Sequence, residues 1–279
     1  MKVCIRAHDL GVTGTEQILN RLDRLGIDGV QMVCYKAYSD VAQVPGAITR
    51  DRAIQIGQDF ANAGKVIPLV GAYFNPIHAD KQKVQNSLEI FGDYLRVCNA
   101  MGCNVVGSET GSCNNDEWTY HPGNRTEEAL QGVVKAFSQL CDVAADCGST
   151  VGIEGCAGHV CWNVETLARA RKMIGSKTKV IFDLYNFMDA DNQGDYLKIL
   201  DKGLETFAGD IQVFHMKDCI LTNGQKPVQT PFGKGGLDLR KILGKIKAYD
   251  PDAALVLEET TGDDIEHAVT TIKNIWESV

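Results

Sequence analysis

Lysine and arginine are nowhere gathered into a run, and 28 basic against 36 acidic residues leave a formal net charge of −8 at pH 7. A protein that neutralises phosphates needs a basic stripe, so nucleic acid is not an expected partner. No uninterrupted apolar stretch approaches the roughly 18 residues that a membrane span requires, so no membrane association is expected. The opening run from Met1 to Asp9 is charged too early, at Lys2, Arg6 and Asp9, to serve as a secretory signal, and a cytoplasmic location is expected. None of the ten cysteines stands in C-x-x-C spacing. Without a secretory signal they read as reduced thiols acting as small buried hydrophobes, not as a disulfide framework. No low-complexity tract or composition shift marks a linker, so residues 1–279 are expected to form one domain.

What is present is alternation. Short apolar, β-branched runs recur at Val3–Ala7, Gly29–Val33, Val66–Ala72, Asn104–Val106, Thr150–Glu154, Lys179–Asp183, Ile211–His215 and Ala254–Glu258. Between them, helical periodicity spans Thr15–Leu25, Thr49–Ala63, Lys81–Met101, Thr126–Cys147, Val164–Ile174, Asp195–Phe207, Leu239–Ala248 and Asp263–Ser278. Thr13, Thr126 and Asn163 are placed as N-caps, with Glu16 completing a capping box for the first. Gly26, Gly64, Gly102, Gly148 and Gly175 fall just past helix ends, where a left-handed residue is wanted. Eight strands alternating with eight helices indicate the α/β class and a single (β/α)8 TIM barrel; an open doubly wound sheet is the alternative.

Four of the apolar runs stop on a side chain able to bind a metal. They end Val-Gly-Ile-Glu154, Val-Ile-Phe-Asp183, Gln-Val-Phe-His215 and Leu-Val-Leu-Glu258, at spacings of 29, 32 and 43 residues, each long enough for one βα unit. In a barrel these are the tips of consecutive strands about 4.8 Å apart, at the end where active sites of this architecture lie. Three clustered carboxylates and an imidazole repel and desolvate one another unless a cation stands between them. The mixture suits one divalent ion, with Mn²⁺ the working expectation and Zn²⁺, Co²⁺ or Mg²⁺ compatible. Glu259 competes with Glu258 as the fourth ligand.

At these residues the sequence resembles the xylose-isomerase-like barrel superfamily, in particular its sugar phosphate isomerase/epimerase group, nearly end to end. The resemblance is carried by Ile153-Glu154-Gly155 with Gly158-His159 and Asn163, by Phe182-Asp183-Leu184-Tyr185-Asn186, and by His215-Met216-Lys217-Asp218. It continues in the loop Gly233-Lys234-Gly235-Gly236-Leu237-Asp238 and in Leu257-Glu258-Glu259-Thr260. It implies metal ligation by Glu154, Asp183, His215 and Glu258, and ketose isomerisation or epimerisation in which Glu154 and Glu258 flank the substrate and move its proton. The run holding His159 and Asn163 is similar to inositol-catabolism isomerases of the group. Two departures stand out. Ketose 3-epimerases usually carry a histidine where this sequence has Asn186, and a glutamate near the end of the second strand, where it reads Val30-Gln31-Met32.

The chemistry also follows from the residues themselves. A cation contacting a carbonyl oxygen and the neighbouring hydroxyl stabilises an enediolate; two bases on opposite faces then epimerise, and one base on one face isomerises. Arg6, His8, Glu109, His159, Asn186 and Lys217 are candidate contacts to a small carbohydrate or cyclitol substrate. Lys234 and its neighbouring glycines are a weaker candidate for a phosphate, His78 and His121 fall on long loops after strands three and four, where lids are expected, and His267 is expected to face solvent. Competing functions are a cyclitol dehydratase on the same site, an endonuclease for abasic DNA, and a binding protein without catalysis. The endonucleases hold three metals with many histidines, and this sequence has only six. A homo-oligomer is compatible with the resemblance, which includes many dimers and tetramers.

Overall fold

A computed structural model of the protein describes residues 1–175 and 177–279. Eight parallel strands close into a barrel: β1 (Lys2–Arg6), β2 (Gly29–Met32), β3 (Val66–Gly71), β4 (Val105–Glu109), β5 (Thr150–Glu154), β6 (Thr178–Asp183), β7 (Ile211–Met216) and β8 (Ala254–Leu257). Each is hydrogen-bonded to its neighbours in chain order, and β8 closes on β1 with Lys2 opposite Ala254. The outer ring is α1 (Thr15–Leu25), α2 (Arg50–Asn62), α3 (Lys81–Val97), α4 (Glu127–Cys147), α5 (Val164–Ile174), α6 (Tyr196–Thr206), α7 (Leu239–Tyr249) and α8 (Asp264–Ser278). The expected single (β/α)8 barrel is the observed one. Its strands are apolar on both faces because the barrel interior lies on one side and the helices on the other.

The helix ends follow local chemistry, with three corrections. Thr126 accepts from Ala129 N and Asn163 from Thr166 N, as expected, and Thr49 proves to be a cap rather than a helical residue. The capping box at Thr13 does not form. Gly14 precedes α1, and no side chain caps that helix. The expected helix through Met101 is α up to Val97 and tightens into a 3-10 turn over Cys98–Met101 before the left-handed Gly102. An antiparallel hairpin, Asp218–Ile220 with Val228–Thr230, rises after β7 and was not foreseen.

Two features of the strands bear on the site. Between β2 and β3 the register steps from Gly29 opposite Val66 to Gln31 opposite Leu69, so β3 holds an extra residue there. Pro68 occupies that bulge, where its missing N–H costs no ladder bond. Lower in the barrel, a Cβ on Gly107 would lie 2.3 Å from Ile181 Cδ1 and one on Gly152 3.5 Å from the same atom. Two small residues thus make room for one large one in the interior layer.

At Gly29 the backbones of β2 and β3 approach closely. A Cβ there would stand 2.0 Å from the carbonyl oxygen of Val66. Gly29→Ala is expected to lower the unfolding free energy by about 1–3 kcal/mol through overpacking against rigid backbone. Chemical denaturation checks this, and an unchanged midpoint would show that the β2–β3 bulge yields without cost.

Candidate active site

Inward positions alternate along each strand, so β5 presents Gly152 then Glu154, β6 Ile181 then Asp183, and β7 Val213 then His215. Glu154 and Asp183 are the last residues of their strands, His215 the last but one, and Glu258 directly follows β8. Asp183 and His215 are register partners. These four side chains are brought together and buried, with one ligand atom from each lying within 4.8 Å of the others. His215 Nδ1 stands 2.8 Å from Glu258 Oε2, 3.2 Å from Glu154 Oε1 and 3.8 Å from Asp183 Oδ2. Glu258 and not Glu259 turns into the cluster. Glu259 takes a left-handed backbone (φ 53°), and its more exposed carboxylate accepts from Arg6 at 2.7 Å.

The set fits a divalent cation. Asp183 Oδ2 and Glu258 Oε2 are buried and accept no hydrogen bond, although the Lys217 ammonium lies 2.8 and 3.3 Å away from them. His215 Nε2 donates to Gln31 Oε1 at 2.7 Å, and Gln31 Nε2 donates to the Tyr73 hydroxyl at 2.7 Å. A carbonyl-type partner on Nε2 turns Nδ1 toward the carboxylates, the usual way in which an outer hydrogen bond orients a ligating imidazole. Burial disfavours the imidazolium, but Glu258 and Glu154 outweigh it and push His215 up to about 10. Burial likewise raises Glu258, yet Lys217, His215 and Arg6 together hold it well below the usual carboxylate range. Glu154 ends raised, by burial that His215 only partly offsets.

The remaining expected contacts divide. Arg6, His8 and Glu109 line an open cleft of about 340 Å³ together with Glu154, Glu258, Tyr35, Lys36, Tyr73 and Trp118. That volume is at the lower end of the ~300–1,000 Å³ of small-molecule sites. Arg6 donates to Glu258 Oε1 at 2.6 Å and is gripped by Asp9 at 2.8 and 3.0 Å. Burial and the Arg6 charge lower His8 to about 4, so its ring is neutral near pH 7. Burial and the adjacent Glu154 push Glu109 up to about 8. Asn186 and Lys217 are buried and do not line the cleft. Asn186 Nδ2 donates to Glu154 Oε1 at 2.8 Å, and Lys217 Nζ donates to Asn186 Oδ1 at 3.2 Å. His159 is buried and bonded to the Trp118 carbonyl, so it meets the cleft through that residue.

One weaker expectation is corrected, while His78 and His121 do lie on the loops after β3 and β4. The glycine loop after the hairpin does not present free amides to a phosphate: Gly233 N and Gly235 N donate to Asp218 Oδ2 at 3.2 and 2.9 Å, and Lys234 pairs with Asp264. His78 is buried, accepts from Asp80 N and stands 3.2 Å from Asp116, which ties its loop down. His121 caps a short 3-10 turn by accepting from Gly123 N. His267 is exposed, as expected.

It belongs to the xylose isomerase-like TIM barrel family. The model of that family matches residues 19–275. Among solved structures with the same fold is a D-tagatose 3-epimerase-like protein, at 18% identity and TM-score 0.76, covering 100% of this chain and 98% of its own. The IOLI protein with a bound zinc atom is similar at 15% identity and TM-score 0.70, over 99% and 96% of the two chains. A family protein from Mycobacterium smegmatis in complex with magnesium shares 13% identity at TM-score 0.72, over 100% and 96%. No curated protein matches by sequence. At these identities the likeness is one of fold, and the xylose isomerase-like barrel here carries its own details around the cluster.

Gln31, Tyr73, Asp9 and Trp118 are among the site residues to which the sequence analysis assigned no role. Gln31 had a signal, as a polar residue near the end of an otherwise apolar strand; the other three lie beyond strand ends and carry none. In this xylose isomerase-like barrel, Gln31→Met is expected to weaken divalent-metal binding about 10–100-fold by freeing the His215 ring, with the fold intact. Calorimetric titration of chelator-stripped protein measures it, and wild-type affinity would remove Gln31 as a positioning residue.

No helix among the described residues is long and apolar enough to cross a membrane.

Proposed function

We propose that this protein is a divalent-metal-dependent isomerase or epimerase acting on a small sugar, sugar phosphate or cyclitol by proton abstraction next to a carbonyl. The observation that carries the reading is the convergence of Glu154, Asp183, His215 and Glu258, with the imidazole oriented by Gln31. Oxygen-rich ligation with one nitrogen suits Mn²⁺, the working choice, and is equally compatible with zinc and magnesium, which similar proteins hold. When bound, the cation supplies Lewis-acid stabilisation of charge developing on adjacent substrate oxygens.

Glu154 and Glu258 stand at the two ends of a four-strand arc, β5 to β8, and both line the cleft. One takes the proton from the carbon beside the carbonyl, and the other returns it to the opposite face in an epimerisation; a single glutamate does both in an isomerisation. Asn186 and Arg6 each fix one of these carboxylates by donating to its Oε1. Arg6, His8 and Glu109 are placed to bind substrate oxygens from the cleft, with His159 acting through Trp118. Lys217 offsets the charge of Asp183 and Glu258, and Asn186 links it to Glu154 by hydrogen bonds. The Asp218 carboxylate filling the late glycine loop weighs against a phosphate at that point.

The decisive experiment is deuterium exchange from solvent into a panel of ketoses, aldoses and inososes, with Mn²⁺ and after chelation. Exchange that requires metal is the expected result. Loss of water with a deoxy or enone product would replace isomerisation by dehydration. A metal-loaded protein that exchanges nothing across the panel would leave a binding role.

A further inference from the structure

One strand away from the four-ligand cluster stands a second set of donors. Glu109 ends β4 and is the register partner of Glu154. Cys156 and His159 lie on the loop that follows β5. A carboxylate oxygen, the Sγ and an imidazole nitrogen of these three residues lie within 4.8 Å of one another.

The histidine makes this more than a chance grouping. His159 is only 3% exposed. Its Nε2 is 3.0 Å from the Trp118 carbonyl oxygen, which can only accept, so Nε2 carries the hydrogen and Nδ1 presents a bare lone pair. That Nδ1 is buried without a hydrogen-bond partner and faces Glu109 Oε1 at 3.8 Å. A bare imidazole nitrogen that faces a carboxyl group across a buried gap, with no hydrogen bond between them, is a pair that a cation would satisfy by displacing the carboxyl proton. The outer bond to Trp118 is the kind that orients a ligating imidazole, as Gln31 does for His215.

The loop is also held in place by its own backbone. Cys156 N donates to Cys161 O at 3.0 Å, Ala157 N to Asn186 O at 2.6 Å and His159 N to Cys156 O at 2.8 Å. Trp118, whose carbonyl anchors the ring, adopts a left-handed backbone at φ 53°, a conformation that costs a non-glycine residue energy.

We infer that Glu109, Cys156 and His159 form a second cation site, for Zn²⁺ or another thiophilic divalent ion, beside the four-ligand centre. Thiolate, imidazole and carboxylate together match zinc far better than magnesium or manganese. Three protein ligands leave one tetrahedral position for water or a substrate oxygen, and Glu109 lines the cleft from which either would come. The inference does not depend on the isomerase reading.

Cobalt(II) tests it, because a thiolate ligand to cobalt gives a charge-transfer band in the near ultraviolet. Chelator-stripped protein titrated with Co²⁺ is expected to develop that band and to bind one equivalent more than Cys156→Ser does. Cys156→Ser and His159→Gln should each lose the extra equivalent, and Cys156→Ser the band with it. In Asp183→Asn the band should stay while the other equivalent is lost. A wild-type protein without the band, or a band that survives in Cys156→Ser and so arises from another of the ten cysteines, would overturn the inference. So would loss of all cobalt binding in a folded Cys156→Ser.

Discussion

Glutamine in place of Glu258 is expected to abolish metal-dependent exchange of substrate hydrogen with solvent, and Glu154→Gln to do the same. A positioned carboxylate base is worth roughly 10²–10⁴-fold in rate, and the amide that replaces it cannot take a proton at any accessible pH. Both substitutions are nearly isosteric. Arg6 keeps an oxygen to donate to at position 258, and Asn186 keeps one at position 154, so the strand tips should not move. Each glutamine also removes one negative charge from the metal cluster, which would weaken the ion's hold. Exchange must therefore be measured at saturating Mn²⁺, with binding followed separately. Wild-type exchange in both variants would take these residues out of the chemistry and leave them as ligands alone.

The second large effect concerns Lys217, and it appears in stability. Its ammonium is 6% exposed, 2.8 Å from Asp183 Oδ2 and 3.3 Å from Glu258 Oε2. Burial works against its charge, but the Asp183 and Glu258 carboxylates outweigh burial and raise it well above the ordinary lysine value. Lys217→Met keeps the length and apolar stem of the side chain while deleting the ammonium that compensates the buried Asp183 and Glu258 carboxylates. Breaking a buried ion pair on one side costs about 3–5 kcal/mol, and the chelated variant is expected to lose that much unfolding free energy. Added Mn²⁺ or Zn²⁺ should restore much of the loss, because a divalent ion between the same carboxylates supplies the missing positive charge. Thermal unfolding of wild type and variant, with and without metal, measures both steps. A variant that is destabilised and gains nothing from metal would mean that these carboxylates do not share a cation.

The sequence carried much of this site because strand-end chemistry is local. An apolar run that stops on Glu154, Asp183 or His215 shows, to within one residue, where the strand ends and which group it offers. Glu109 was less legible. Val105–Glu109 continues through Gly107 and Ser108, residues with weak strand preference, so the strand was expected to stop at Val106 and Glu109 to lie in a loop. The capping box at Thr13 failed for a related reason: its spacing was right, but the chain enters α1 through Gly14. The lysine and glycines near residue 234 resembled an anion loop, yet the glycine amides hold Asp218 and Lys234 pairs with Asp264, both of the same chain.

By itself, the sequence determined the alternation of strand and helix, the closed barrel that eight such units build, and the four residues at the tips of β5 to β8. These rest on periodicity and on short-range order, which any stretch of chain contains. Only the tertiary structure decided that Gln31 orients His215 across 184 positions of sequence, that Arg6 reaches Glu258 across 252, and that Cys156 and His159 meet Glu109. Those pairings depend on barrel closure and on loop paths over its rim, where contacts between distant residues are fixed by packing and leave no periodic trace in the sequence.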